Sequence, residues 1–224
     1  MMVVLCLALC SITPLAAQEL EKPVGCEPCR TSDLVEIIKL DPAIRLDIKY
    51  ATADNFTGRA VYPEARAFLQ RPAAEALLAV QRRLNARGLG LVVYDAYRPW
   101  SVTRLFWEIT PLEKRMYVAD PAKGSKHNRG CAVDVGLVEL ESGRVLEMPG
   151  AFDEMSERSH VEYAGGTPGQ RANRDRLRAA MEEGGLFKVY PEEWWHYDFK
   201  DYREFPVLDV PFSEIPSPPG TDKP

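Results

Sequence analysis

Ser125-Lys126-His127-Asn128-Arg129-Gly130-Cys131-Ala132-Val133-Asp134-Val135 is the stretch that decides how this chain is read. An imidazole at 127 and a carboxylate at 134 lie either side of a glycine, and the carboxylate falls at the start of the apolar run 132–137, which reads as a buried strand. Two metal-ligand types therefore sit on one short segment. A catalytic site of the zinc kind needs a third protein ligand and an open position for water. The chain holds 3 histidines, so His160 and His196 are the other imidazoles available. His196 is better placed. It lies in Glu192-Glu193-Trp194-Trp195-His196-Tyr197, where a carboxylate shortly before the imidazole can serve as general base toward a water. Taken singly, each of these residues is more commonly an ordinary core or surface side chain than a ligand.

Working outward, residues 133–140 and 144–148 flank Glu141-Ser142-Gly143, a hairpin signal that puts Asp134 on an antiparallel strand and His127 in the loop before it. Upstream, residues 89–94 read as a buried strand whose far end delivers Asp95 and Arg98 before Pro99 breaks it. Residues 71–88 carry Pro72 in the first turn, Gly88 as a stop, and Ala73, Leu77, Val80 and Leu84 at helical spacing, which predicts a core-facing helix. Residues 101–109 predict a shorter helix with Ser101 as its cap. Residues 34–38 and 44–50 read as strands and 55–58 as a turn. Residues 150–169 are irregular and carry Asp153 and His160, and 171–183 read as a charged helix stopped by Gly184-Gly185. Strands are expected over 187–190 and 195–199, either side of the Pro191-Glu192 break. In a regular strand Glu193 and His196 would point to opposite faces, so they converge only across a turn or bulge. These elements predict an α+β fold: a mainly antiparallel sheet, helices packed to one side, and the metal site on the sheet.

With 224 residues and 46% hydrophobic content, the chain can bury one substantial core, and residues 33–224 are read as one domain ending in an extended tail. A formal net charge of −5, with acids and bases interspersed, argues against a nucleic-acid surface and gives no polybasic membrane patch. Residues 1–17 form an apolar run ending in Pro14-Leu15-Ala16-Ala17, which reads as a signal peptide, although the usual Lys or Arg before the apolar run is missing. Its removal leaves no membrane span, and the expected location is the periplasm. Residues 18–32 read as an exported linker in which Cys26 and Cys29 form a local disulfide. Cys131 reads as a buried, inert thiol.

The pattern Ser125-x-His127-x-x-Gly130-x-Ala132-x-Asp134, followed by Glu193-x-x-His196, resembles the VanX-type zinc D-alanyl-D-alanine dipeptidases, within the D-Ala-D-Ala metallopeptidase family. Asp54-Asn55-Phe56-Thr57-Gly58, Tyr94-Asp95-Ala96-Tyr97-Arg98-Pro99 and Phe152-Asp153 extend the likeness over residues 33–208. The resemblance implies one zinc ion per chain held by His127, Asp134 and His196, with a position free for water. It implies Glu193 as the proton-transferring base, Glu192 lacking the motif position. It also implies that Arg98 stabilises charge on the carbonyl oxygen and that Asp95 orients Arg98; a plain Asp95–Arg98 salt bridge is the alternative. Tyr62 is a pocket-wall residue by resemblance alone. A free dipeptide presents an ammonium and a carboxylate, for which Asp153 and Ser125 are the natural partners; turn and loop-capping roles are their alternatives. The expected activity is hydrolysis of D-alanyl-D-alanine to two D-alanine in peptidoglycan turnover. The alternatives are a D,D- or L,D-carboxypeptidase acting on longer muropeptides and a zinc-containing binding protein without turnover.

Overall fold

The structure, a computed structural model, describes residues 20–216. The expected signal peptide, residues 1–17, lies outside the described residues. In chain order the elements are β1 (Leu34–Glu36), a short helix α1 (Ile37–Leu40), β2 (Arg45–Leu46), β3 (Phe68–Gln70), α2 (Arg71–Asn85), β4 (Leu89–Asp95), α3 (Trp100–Ile109), β5 (Ala132–Glu139), α4 (Pro168–Glu182), β6 (Phe187–Tyr190) and β7 (Glu193–Phe199). Five strands form one sheet in the order β2-β4-β5-β7-β6, and β1 pairs with β3 in a separate ribbon. Within the large sheet only the β2–β4 pairing is parallel. Helices α2 and α4 pack against each other, α2 also on β4 and α4 on β5, β6 and β7. The fold is α+β with a mostly antiparallel sheet.

Residues 132–138 of β5 are buried throughout, as a central strand covered on both faces must be. The pairing around β5 sets up the site. Asp134 lies opposite His196 of β7 on one side and opposite Asp95 of β4 on the other. Residues paired across neighbouring strands share a face, so three polar residues form one row across the sheet. The row depends on a bulge. The register of β4 and β5 runs evenly to Val93↔Val135 and then jumps to Asp95↔Asp134, leaving Tyr94 unpaired. A second irregularity separates Val189↔Tyr197 from Tyr190↔Glu193, so Trp194, Trp195 and His196 lie between two pairings with β6.

Several elements differ from the sequence reading, each for a local reason. The strand expected over 44–50 is only Arg45–Leu46, because the chain turns at Lys49–Ala51. That turn buries Tyr50 among Phe56, Tyr62, Phe106 and Phe152. Residues 34–38 divide into β1 and the first turn of α1. Strand β3 was not anticipated; it is short and runs directly into α2. The second hairpin strand, 144–148, contributes a single bridge, Val138↔Val145. Ser101 does not cap α3; its hydroxyl donates to Asp209 Oδ1 at 2.7 Å.

Both terminal segments pack on the domain. Residues 20–32, read as a linker, lie along the C-terminal stretch: Val207 N–H donates to Val24 O at 2.9 Å and Arg30 N–H to Glu204 O at 2.7 Å. Cys26 and Cys29 are disulfide-bonded, as expected. The tail is not simply extended, since Phe212 and Ile215 are buried and Phe212 packs on Tyr62, Phe68 and Tyr97.

Candidate metal and catalytic site

His127 opens a tight helical turn, His127–Arg129, that ends at Gly130 with φ +64°. A side chain at 130 would be strained by that φ, and its Cβ would lie 2.5 Å from Leu34 Cδ2. The turn is pinned by buried Asn128, whose amide donates to Arg98 O and Thr103 Oγ1, both at 2.8 Å, and accepts from Ser125 N–H at 2.7 Å. His127 is thereby held over the sheet. Its Nδ1 donates to Ala96 O at 2.7 Å, which leaves Nε2 as a lone pair facing inward. His196 is held in the opposite sense: Nε2 donates to Asp198 Oδ1 at 2.8 Å, and Nδ1 faces inward.

The inward atoms converge. His127 Nε2 lies 3.0 Å from His196 Nδ1 and 3.3 Å from Asp134 Oδ1, and His196 Nδ1 lies 3.0 Å from the same oxygen. All three residues are buried. Two neutral imidazoles so oriented would set lone pair against lone pair, an arrangement that calls for a positive charge between them. The electrostatics agree. Burial opposes charge on His196, but Asp134 and Asp198 outweigh it and lift its pKa to about 10. Burial likewise opposes ionisation of Asp134, yet the two imidazoles hold its carboxyl far below the usual range. The group fits a metal cation, with the outward nitrogens anchored as ligating histidines require.

Glu193, at the start of β7, places Oε2 3.6 Å from His196 Nδ1. The register jump against β6 is the irregularity that brings the two to one side. Burial raises the Glu193 pKa, which makes it a better base than an exposed glutamate. Glu192 instead accepts from the Tyr190 hydroxyl at 2.8 Å. Arg98, 8% exposed, donates through Nε and Nη2 to Asp95 Oδ2 at 2.9 and 2.7 Å. Its guanidinium also lies 5.2 and 4.9 Å from the ring centroids of Tyr50 and Phe106. The metal group, Glu193 and Arg98 all line one cavity of about 290 Å³, small enough to suit a ligand of dipeptide size.

Residues 30–218 match the family model described as D-ala-D-ala dipeptidase, Peptidase_M15. The chain belongs to that family. It is similar to the D-alanyl-D-alanine dipeptidase of Escherichia coli (strain K12), 39% identical over 188 residues, 84% of this chain and 95% of that protein. The protein of the same name from Enterococcus faecium is 37% identical, covering 73% of this chain and 93% of its own length. That from Enterococcus faecalis is 38% identical, covering 70% and 87% respectively.

In this member of the dipeptidase family, Ser125 and Asp153 both line the cavity. The Ser125 hydroxyl also accepts from His127 N–H at 3.2 Å, so it braces the turn as well. Asp153 adopts φ +59°, the only positive φ of a non-glycine among the described residues, and its Oδ2 accepts from the Tyr50 hydroxyl at 2.7 Å. Burial pushes its carboxyl well above the usual carboxylate pKa. The left-handed backbone, which aspartate adopts more readily than most residues, and the burial together fix this carboxyl on the cavity lining. Tyr62 is a correction. It does not line the cavity but stands behind it, donating its hydroxyl to Asp95 Oδ1 at 2.8 Å. The expected wall role falls to Tyr50, Phe106, Tyr190 and Trp195. Sequence reasoning missed Tyr50, Lys126 and Asp198. None has a local signal, since each gains its role from partners distant in the chain.

Proposed function

We propose that this protein is a zinc-dependent dipeptidase that hydrolyses D-alanyl-D-alanine to two D-alanine. The observation that carries the reading is the convergence of His127 Nε2, His196 Nδ1 and Asp134 Oδ1 beside Glu193 and Arg98 in one cavity. Two imidazoles and a carboxylate suit zinc. Ligand atoms about 2.0–2.2 Å from a tetrahedral zinc lie about 3.3–3.6 Å apart, close to the 3.0–3.3 Å separations here. When bound, the metal polarises the scissile carbonyl and makes a water acidic enough to attack at neutral pH.

The chain's own residues supply the rest. Glu193 takes the proton of the attacking water and returns it to the leaving amine. Arg98, fixed by Asp95 and therefore costing no reorganisation, faces the negative charge that grows on the carbonyl oxygen; a fixed donor of this kind is worth about 3–4 kcal/mol of barrier. Asp153, with Tyr50 on its second oxygen, receives the substrate ammonium, and Ser125 donates to the terminal carboxylate. Both Glu193 and Arg98 are in place, which favours turnover over metal binding alone.

The test compares free D-alanyl-D-alanine with its N-acetylated form, with and without a chelator. Acetylation removes the ammonium and strands Asp153, so kcat/KM should fall by several orders of magnitude. Equal turnover of the two would instead assign a carboxypeptidase, and activity indifferent to chelation would remove the metal.

We further propose that the protein is exported to the periplasm with residues 1–17 removed. The Cys26–Cys29 disulfide supports an oxidising compartment. Mass spectrometry of the native product should find a chain beginning near Gln18; an intact N-terminus would overturn this.

A further inference from the structure

Two charged side chains beside the metal group have no part in the reaction proposed above, Lys126 and Asp198. Asp198 lies two positions after His196 on β7, so both side chains leave the same face of the strand. Its Oδ1 accepts from His196 Nε2 at 2.8 Å, while its Oδ2 lies 3.3 Å from Lys126 Nζ. Lys126 immediately precedes His127, and its carbonyl accepts from Arg129 and Cys131 N–H at 3.1 Å each, so its backbone belongs to the turn that carries His127. One carboxylate thus links the strand that supplies one imidazole to the turn that supplies the other. The Lys126 ammonium is itself placed, 5.5 and 5.6 Å from the ring centroids of Tyr190 and Tyr202.

The link matters because His196 has a competing arrangement. Its Nδ1 lies 3.0 Å from Asp134 Oδ1, so an imidazole carrying its proton on Nδ1 would hydrogen-bond to Asp134 and present no lone pair to a cation. A carboxylate on Nε2 favours the other tautomer and fixes the ring plane. Asp198 does this only while it faces Nε2, and the ammonium on its other oxygen keeps it there. The side chains of Lys126 and Asp198 are 33% and 17% exposed, so the pair is partly screened and direct stabilisation of the fold by it is small. Its value lies in orientation.

We propose that the Lys126–Asp198 ion pair is a positioning device for the metal. Asp198 selects the metal-competent form of His196, and Lys126 acts through Asp198. The inference rests on the assignment of His127, Asp134 and His196 as metal ligands. Lys126 also lines the cavity, and a lysine there can alternatively take the substrate carboxylate.

Zinc affinity, measured by competition with a chromophoric chelator, separates these roles without reference to turnover. Asp198→Ala should weaken zinc binding by about 10–100-fold, the usual effect of removing a carboxylate behind a ligating histidine. Lys126→Met should weaken it less, by about 3–10-fold, and Lys126→Arg should restore it. Because Lys126 acts through Asp198, Lys126→Met should have no further effect in the Asp198→Ala background. Equal effects of Lys126→Met in both backgrounds would overturn the proposal, as would unchanged zinc affinity with a raised KM, which would make Lys126 a substrate group. Should Asp198→Ala fail to give wild-type far-UV circular dichroism, Asp198→Asn takes its place, with a smaller loss of affinity and the same absence of a Lys126 effect. Wild-type zinc stoichiometry, lost in His196→Ala, checks the ligand assignment separately. If the wild-type protein bound no zinc, that assignment would fail; if it bound zinc and all the Lys126 and Asp198 variants bound equally, only this inference would.

Discussion

Replacing Asp95 with asparagine asks whether a buried charge, rather than the shape around it, holds Arg98 in place. Asp95 is fully buried. Its Oδ2 accepts both Arg98 bonds, and its Oδ1 accepts from the Tyr62 hydroxyl at 2.8 Å and from Ala96 N–H at 2.9 Å. Asparagine keeps one of the two oxygens. With that oxygen toward Arg98, the new NH₂ meets the Ala96 N–H, donor against donor, although the Tyr62 hydroxyl can turn to accept. With the amide reversed, two donors meet the guanidinium. In either case a buried cation loses its anion. Removing one partner of a buried ion pair costs about 3–5 kcal/mol, and the retained oxygen places this change near the lower end, about 3 kcal/mol. For a chain of this size each kcal/mol moves Tm by about 2–4 °C, so a fall of about 6–12 °C is expected. Tyr62→Phe removes one bond to the same carboxylate and should cost about 1.5 kcal/mol, a smaller shift in the same direction. On the role proposed for Arg98, acting on charge that is greatest in the transition state, Asp95→Asn should lower kcat more than it raises KM. Thermal unfolding and steady-state kinetics on both variants decide the matter. A Tm within about 2 °C of wild type, together with an unchanged kcat, would refute the reasoning and leave Arg98 held by its stacking on Tyr50 and Phe106.

Glu193→Gln should keep its metal and lose kcat by about a hundredfold or more, as removal of a general base does. Glu192→Gln, whose wild-type side chain accepts from the Tyr190 hydroxyl and does not line the cavity, should remain near wild type; the reverse result would move the base. His127→Ala and His196→Ala should each abolish stoichiometric metal, and acidification of the wild-type protein should release it, since imidazoles bind metal only when neutral. Metal content indifferent to these changes would remove the site. Asp153→Asn should stabilise the protein at neutral pH while impairing substrate binding. Burial raises the folded-state pKa of Asp153 above the 3.8 of the free side chain, so the folded state binds that proton more tightly and stability falls as pH rises through the raised value. The difference in Tm should therefore vanish below about pH 3.8 and grow above it. A constant difference across pH would refute that electrostatic origin. Asparagine also tolerates the positive φ at this position.

The parts of the site that were legible in the sequence are those fixed by short range. His127, Gly130 and Asp134 lie on one turn and the strand that follows, so residue types and spacing suffice to place them. The long elements were equally readable. Helix α2 carries Pro72 at one end and Gly88 just beyond the other, and β4 is an apolar run as far as Tyr94. What could not be read depends on partners far along the chain. Tyr50 looks like the last residue of a strand until Phe56, Phe106 and Phe152 gather around it, and Tyr62 acquires its role only from Asp95. Strands β1 and β3 span three residues each, too few for alternation to show.

The least legible feature is also the one on which the chemistry depends. Strand periodicity alone places Glu193 and His196 on opposite faces, and the even register of β4 with β5 would set Tyr94, not Asp95, opposite Asp134. Both conflicts are resolved by the same device. A residue left unpaired in β4 shifts Asp95 into line with Asp134, and the residues unmatched between β7 and β6 let Glu193 turn toward His196. A regular sheet could carry Asp134 and His196 side by side but could bring neither the Asp95–Arg98 pair nor the Glu193 carboxylate to them. Asp134 and His196 therefore need only strand pairing and His127 only the turn that precedes β5, whereas the Asp95–Arg98 pair and Glu193 need the sheet to be broken in two places, one on each side of β5.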